Sequence, residues 1–98
     1  MTVLFTRIGT PVPGRQSEAL DYAKARRDAV NKTFALHANV YIRFGGPVGQ
    51  VVMVEQFESL ADVEKMKRAS IKGSVEHSIP TAPAGVFQSV EEHAWISI

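Results

Sequence analysis

The sequence predicts an α+β fold in which four strands and two helices follow one another in the order β-α-β-β-α-β. Three stretches alternate apolar and polar residues, a fourth is a run of β-branched residues, and two more repeat apolar residues at helical spacing. The segment from residue 38 to residue 57 is the most informative. Its two strand patterns flank Gly45, Gly46, Pro47 and Gly49, a composition typical of the turn in a β-hairpin.

The chain begins with a predicted strand at Thr2–Gly9, in which odd- and even-numbered side chains face opposite ways. A loop at Gly9–Gly14 contains two glycines and two prolines, which interrupt a strand. A helix is predicted from Gln16 to about Leu36. Arg27 is expected to project within its apolar stripe, with packed methylenes and a guanidinium that reaches either solvent or an acidic group. The stripe consists of Ala19, Leu20, Ala23, Val30 and Phe34.

The hairpin consists of a strand around Val40–Phe44 and a second strand at Val51–Phe57. Along the second strand, Val52 and Val54 point to one side and Met53 points to the other. Because both sides are apolar, the hairpin needs a covering layer on two faces.

A second helix is predicted to start at Ser59, since Asp62 follows three residues later in a pattern close to a capping box. Gly73 is the predicted stop of this helix. The segment Ser74–Gly85 contains two prolines and is predicted to be irregular, and Val86–Ile98 alternates as one long strand or two short ones. The residues expected to face inward from the helix are Leu60, Val63, Met66 and Ile71.

Elements in this order form the ferredoxin-like arrangement, a four-stranded antiparallel sheet with both helices on one face. We expect the first and third strands in the middle and the other two at the edges. The second face of the sheet is then bare in a single chain, and an apolar bare face needs a partner. Two subunits are therefore predicted to pack sheet against sheet as a homodimer. Depending on register, the bare face carries Phe5 or Leu4, Met53 or Val52, and Phe87 or Trp95.

Length and composition limit the classes of function. The chain has 98 residues, which predicts one domain over 1–98, and a net charge of +1, which gives no support to nucleic-acid binding. It contains no cysteine, signal-peptide pattern or apolar run long enough to span a membrane. We therefore predict a cytoplasmic protein with no nucleic-acid or membrane partner.

The segment VVMVEQFESLADVEKM, residues 51–66, carries a resemblance. In it a strand with an acidic-aromatic end runs directly into a helix opened by serine and aspartate. With the chain length and the order of elements, this junction resembles the dimeric α/β-barrel superfamily, which includes the antibiotic-biosynthesis monooxygenase-like, NIPSNAP-like and stress-responsive families. The resemblance implies two sheets packed into a dimeric barrel. It selects no activity, because the superfamily spans monooxygenases, haem-degrading enzymes, isomerases, dehydratases and ligand-sensing domains.

Polar and aromatic side chains that could line a space between two sheets are the candidate site residues. Such a space, mostly apolar with a few polar groups, suits a small apolar or aromatic molecule. The catalytic candidates are Tyr41, Arg43, His77 and His93. The ligand-binding candidates are Arg7, Asn39, Met53, Glu55, Phe87 and Trp95.

Each candidate also has a structural interpretation. Arg43 and Tyr41 could simply face water on an edge strand. Glu55 could pair with Arg7 or Arg43, and Trp95 could be an interface anchor. The three histidines are far apart with no metal-ligand spacing, so neither a metal nor a cofactor is predicted.

Two hypotheses about function remain open from the sequence. In the first, the protein is a small oxygenase-like or isomerase-like enzyme for an apolar substrate. His93 or His77 acts as general base, Arg43 or Arg7 stabilises an oxyanion, and Tyr41 orients the substrate. In the second, the protein is a non-catalytic module that binds a small molecule or a partner protein. The lack of an obvious catalytic constellation favours the second, and the superfamily favours the first.

Overall fold

The computed structural model describes residues 2–34, 37–43, 49–76 and 79–98. Its elements are β1 (Val3–Pro11), α1 (Gln16–Phe34), β2 (Asn39–Ile42), β3 (Val51–Phe57), α2 (Leu60–Glu76) and β4 (Phe87–Ile96). All strand pairs are antiparallel, in the order β2-β3-β1-β4. The predicted α+β fold is therefore confirmed, with β1 and β3 in the centre. The C-terminal segment forms one strand rather than two.

The hydrophobic core lies between the helices and one face of the sheet. Strand residues of that face form two adjoining clusters with residues of α1 and α2. Ile79 also enters the core at 2% exposure, so the segment predicted to be irregular contributes to packing. The first cluster consists of Val3, Phe5, Phe57 and Val63, and the second consists of Val30, Ala38, Met53 and Ile79.

The arginine that lies within the buried stripe of α1 is Arg26, not Arg27. Ala19, Ala23, Arg26 and Val30 are the buried residues of this helix, spaced by four, three and four positions. Ala19, Ala23 and Val30 of the predicted stripe are therefore buried as expected, and Arg26 completes their helical spacing. The Arg26 Nη1 group donates a hydrogen bond of 2.9 Å to the carbonyl oxygen of Pro80, whereas Arg27 pairs with Asp28 near the surface.

Helix α2 has the predicted start but a different end. The Asp62 amide donates to Ser59 Oγ at 3.2 Å, so the serine caps the helix. The helix continues past Gly73 to Glu76, because a glycine inside a helix costs only about 1 kcal/mol and does not end it. Leu60 and Ile71 are 49% and 74% exposed, so their predicted inward orientation is wrong.

The end of β1 departs from the prediction of a loop from Gly9. Pairing with β4 continues to Pro11, with a register shift after Thr10. Beyond Gly9 the strand pairs only with β4, so a residue without an amide proton is tolerated there. The shift turns Phe87 onto the helix side, where its ring meets Tyr22 edge-on. A Cβ on Gly9 would lie 2.6 Å from that ring, so glycine is needed at this position.

Two local devices position the hairpin. The Asn31 side chain forms paired hydrogen bonds with the backbone of Ala38, at 2.8 and 3.1 Å, and so fixes the start of β2 to α1. Gly49 has a φ of 78° and enters β3 in a conformation that favours glycine. The rest of the predicted turn, at residues 45–47, lies outside the described residues.

Candidate functional site

The helices cover one face of the sheet, and we call the opposite side the open face. On this side Leu4, Tyr41 and Trp95 are 37%, 54% and 57% exposed. The strand residues that point to it follow from the registers and the alternation of each strand. They are Leu4, Thr6, Ile8, Thr10, Asn39, Tyr41, Val52, Val54, Gln56, Ser89, Glu91, His93 and Trp95.

Cross-strand pairing arranges these side chains in rows across the open face. The central strands supply an apolar floor, and most polar and aromatic groups lie on the two edge strands. The rows are Gln56, Leu4 and Trp95; Asn39, Val54, Thr6 and His93; and Tyr41, Val52, Ile8 and Glu91.

The β4 edge carries a carboxylate, an imidazole and an indole in succession. Glu91 Oε2 lies 3.3 Å from His93 Nε2, and the His93 and Trp95 rings are 5.9 Å apart between centroids. Thr6 holds this group to β1, since its Oγ1 accepts a 3.0 Å hydrogen bond from the Trp95 indole and donates to the His93 carbonyl oxygen. A carboxylate that accepts from one ring nitrogen leaves the other as a proton acceptor. This edge therefore has the arrangement of a general base.

The β2 edge carries an amide, a phenol and a guanidinium on the same side. Arg43 Nη1 donates to Gln50 Oε1 at 2.8 Å, and Gln50 Nε2 donates to Thr10 Oγ1 at 2.9 Å. Gln50 is only 8% exposed, so this chain of hydrogen bonds holds the guanidinium in place. Arg43 keeps further N–H groups for another partner, because a guanidinium has five donors.

The two edges are not brought together within one chain. Three strand spacings of about 4.8 Å separate β2 from β4, so Tyr41 and Glu91, or Asn39 and His93, are about 14 Å apart. The predicted combination of a His93 base with the oxyanion donor Arg43 is therefore not assembled in a single protomer. Asn39, on β2, is separated in the same way from His93 and Trp95, which are in contact on β4.

Four predicted site residues lie on the helix-covered face instead. Arg7, Met53 and Glu55 alternate away from the open face, and Phe87 is turned away by the register shift in β4. A molecule held against the open face would not contact them. His77 lies outside the described residues.

Glu55 belongs to a closed, charged cluster between sheet and helices. It is 8% exposed and borders a cavity of about 10 Å³, roughly the space of one water molecule. Burial raises the pKa of the Glu55 carboxyl, while the charges of Arg7 and Arg26 oppose this rise and Glu92 adds to it. Glu92 itself lies 3.0 Å from Lys67 and 3.9 Å from Arg7. This cluster has too little space to hold an organic molecule.

Sequence reasoning missed three polar residues of the open face. Glu91 alternates in phase with His93 and Trp95, and that phase was the available signal for it. Thr6 and Gln50 carry no local signal, because only the pairing of strands distant in sequence places them beside Trp95 and Arg43.

Other features of the described residues limit the chemistry. They contain no cluster of three or more histidine, aspartate or glutamate side chains able to hold a metal ion. Neither helix in the described ranges combines the length and apolarity needed to cross a bilayer. A wide cavity of about 850 Å³ lies at the end of the sheet where β1 begins and β3 ends. It is lined by Thr2, His37, Gln56, Phe57 and Glu58.

Comparison with solved structures places the fold among known ones. The chain is similar to a NIPSNAP family protein from Agrobacterium tumefaciens, with 16% identity over 100% of this chain and 94% of the other, and a TM-score of 0.78. It is also similar to an uncharacterized NIPSNAP domain protein from Burkholderia xenovorans, with 9% identity over 98% of this chain and 94% of the other, and a TM-score of 0.77. A dimeric protein of unknown function and ferredoxin-like fold from Bacteroides fragilis shares 13% identity over 96% of this chain and 94% of its own, with a TM-score of 0.69.

These likenesses concern the fold, since identity is low throughout. No family model matches the sequence, and no curated protein matches it. The predicted ferredoxin-like fold is confirmed, and the predicted resemblance to NIPSNAP-like proteins is supported at the level of structure.

The raised pKa of Glu55 predicts a specific pH dependence of stability. A carboxyl with a raised pKa in the folded state binds its proton more tightly there than in the unfolded chain. The stabilisation from the protonated carboxyl is fully present below the ordinary glutamate pKa. It is lost as the pH rises through the pKa of Glu55 in the folded state. We expect the stability of Glu55→Gln, relative to the native protein, to be higher at pH 7 than at pH 4, as measured by denaturant unfolding at both pH values.

The matched control is Glu58→Gln, which removes an exposed carboxylate next to the same strand. Its stability relative to the native protein should change less between the two pH values. A Glu55→Gln protein whose relative stability is the same at pH 4 and pH 7, or lower at pH 7, would contradict the assignment.

Proposed function

We propose that this protein is a homodimer that holds a small apolar organic molecule between the open faces of its two sheets. The observation that carries the proposal is the uncovered apolar floor of the open face. Leu4 and Trp95 are exposed beside half-buried Ile8, Val52 and Val54 in the described part of the chain. Monomeric proteins seldom leave a contiguous apolar patch of this kind in water.

A second copy of the same sheet is the partner that this face suits best. Stacked sheets pack about 10 Å apart with interdigitated side chains, and protein interfaces typically have an apolar centre and a polar rim. The open face is close to this layout, since its aliphatic residues lie on β1 and β3 and its charged residues and most of its polar ones lie at the edges. The similar protein from Bacteroides fragilis is described as dimeric, which supports the same assembly here.

The side chains of the open face favour a largely apolar ligand with one polar group. The aliphatic floor and the Trp95 ring offer dispersion contacts, and an indole face stacks on flat molecules. Arg43 is the one strongly basic side chain among the described residues of this face. A carbonyl or acidic oxygen on the ligand is the group that a guanidinium recognises.

Enzymatic proton transfer is a second candidate, favoured by the contact between Glu91 and His93. In the reaction, His93 accepts a proton from carbon next to a carbonyl group. The electron pair of the broken C–H bond moves to the carbonyl oxygen and forms an enolate, and return of the proton completes exchange or isomerisation. This proton transfer is the whole reaction of an isomerase. It is also the first step of a monooxygenase-like reaction, in which the carbanion would then react with molecular oxygen.

The dimer and its ligand are tested together by native mass spectrometry of the purified protein. We expect the mass of two chains plus additional mass from a bound molecule. Leu4→Asp places an unpaired carboxylate in the interface and should raise the dissociation constant of the dimer roughly 1,000-fold or more. The variant should fold, because Leu4 is exposed in the single chain, and it should appear as a chain without ligand.

The matched control is Ile71→Asp, an equally drastic change at an exposed aliphatic residue of α2. It should keep both the dimer and the additional mass, and Val52→Asp should repeat the effect of Leu4→Asp. A native protein that is monomeric, or a Leu4→Asp dimer as strong as the native one, would overturn the proposed assembly. A dimer without additional mass would contradict the ligand but not the assembly.

Proton transfer is tested with 2-tetralone, an apolar aromatic ketone. We expect the native protein in deuterated buffer to accelerate deuterium incorporation next to the carbonyl group. His93→Gln should slow the exchange at least tenfold, since general bases contribute about 10²–10⁴-fold, and Glu91→Gln should slow it less. NMR integration measures the rate, and equal rates for native and His93→Gln proteins would favour the non-catalytic binding module.

A further inference from the structure

The chemical groups of the open face are divided between its edges. The base, its carboxylate and the indole lie on β4, as Glu91, His93 and Trp95. The guanidinium and phenol lie on β2, as Arg43 and Tyr41. About 14 Å of sheet separates the two groups, so neither edge alone holds both a base and a cation for the oxygen of a ligand.

We propose that each ligand site is composite, formed by β4 of one protomer and β2 of its partner, an inference that rests on the dimer proposed above. Glu91 and His93 would face the partner's Tyr41 and the partner's Asn39, with Trp95 at one end of the site and the partner's Arg43 at the other. The dimer then contains two identical sites, one at each edge of the paired sheets.

The geometry of a face-to-face dimer permits this arrangement in a simple way. A twofold axis between the sheets and parallel to the strands sends each edge strand onto the opposite edge of the partner and keeps every row in place. Asn39 then lies opposite the partner's His93, and Tyr41 lies opposite the partner's Glu91, because each pair belongs to one row. An axis perpendicular to the strands would instead place β2 on β2 and β4 on β4.

Charge favours the first of these axes. Among the described strand residues of the open face, Glu91 is the only carboxylate, and Arg43 is the only strongly basic group beside them. Pairing β2 with β4 brings each Arg43 next to the partner's Glu91, one row away. Pairing like with like gathers both carboxylates at one edge and both guanidinium groups at the other, which is unfavourable in a closed interface.

The composite site narrows the class of ligand. One wall supplies a proton acceptor and an indole face, and the opposite wall supplies a guanidinium held by Gln50 and a phenol. This combination fits a flat, mostly apolar molecule with a carbonyl group and an acidic C–H or O–H. The acidic hydrogen would face His93, and an oxygen further along the ligand would face the partner's Arg43, which lies two rows away.

The absence of cysteine from the sequence allows a direct test by cross-linking. Asn39→Cys and His93→Cys are combined in one chain, and the protein is treated with a bifunctional thiol reagent that spans about 8 Å, less than the sheet separation of about 10 Å between backbones. We expect covalent dimers, detected on a denaturing gel, to form at least ten times faster than in either single variant. The combination of Tyr41→Cys with Glu91→Cys, which lie in the next row, should cross-link at a similarly high rate.

Asn39→Cys with Ser89→Cys is the matched control, because these positions lie on the same strands but two rows apart. It should cross-link at the low rate of the single variants. Rapid cross-linking of His93→Cys alone, or no preference for the matched pairs in a protein that is dimeric by native mass spectrometry, would overturn the composite site and leave the dimer intact. A monomeric native protein would overturn both.

Discussion

The structure depends on one constraint: its sheet has two apolar faces, and its two helices cover only one of them. Val3, Phe5 and Met53 are sealed beneath the helices, and this packing holds the chain together. Leu4 lies between Val3 and Phe5 on β1 and points to the opposite face. Leu4 and its β4 partner Trp95 both remain exposed. Because successive strand residues point to opposite faces, apolar residues at successive positions cannot all be buried by one layer of helices. The uncovered face is therefore the surface on which we propose that a second copy packs.

The same alternation separates two kinds of chemistry. Arg7, Glu55 and Glu92 point under the helices, where burial raises the pKa of Glu55 in a space too small for a ligand. His93 and Glu91 point to the open face, where solvent or a second molecule reaches them. Neighbouring residues of one strand thus serve stability and candidate function separately. The register shift beside Pro11 changes this assignment for Phe87, which lies on the helix side against Tyr22.

Local patterns were sufficient to predict the elements, their order and the central position of β1 and β3. They also placed Tyr41 with Arg43 on one side of a strand, and His93 with Trp95 on one side of another, since strand alternation extends over many residues. They were insufficient where distant segments decide the outcome. The register shift in β4 arises from its pairing with β1. The buried Arg26 has its hydrogen-bond partner in the distant Pro80. The distance between the edge strands, which divides the candidate site, likewise follows only from strand order.

The most direct test of whether the open face is covered in solution uses Trp95, the only tryptophan in the chain. Trp95 is 57% exposed in a single chain, so a collisional quencher such as acrylamide should reach its indole in a monomer. If the open faces pack together, quenching of Trp95 fluorescence should weaken and its emission should shift to shorter wavelength as the protein concentration rises. Efficient quenching and long-wavelength emission at every concentration would show an uncovered face and contradict the account.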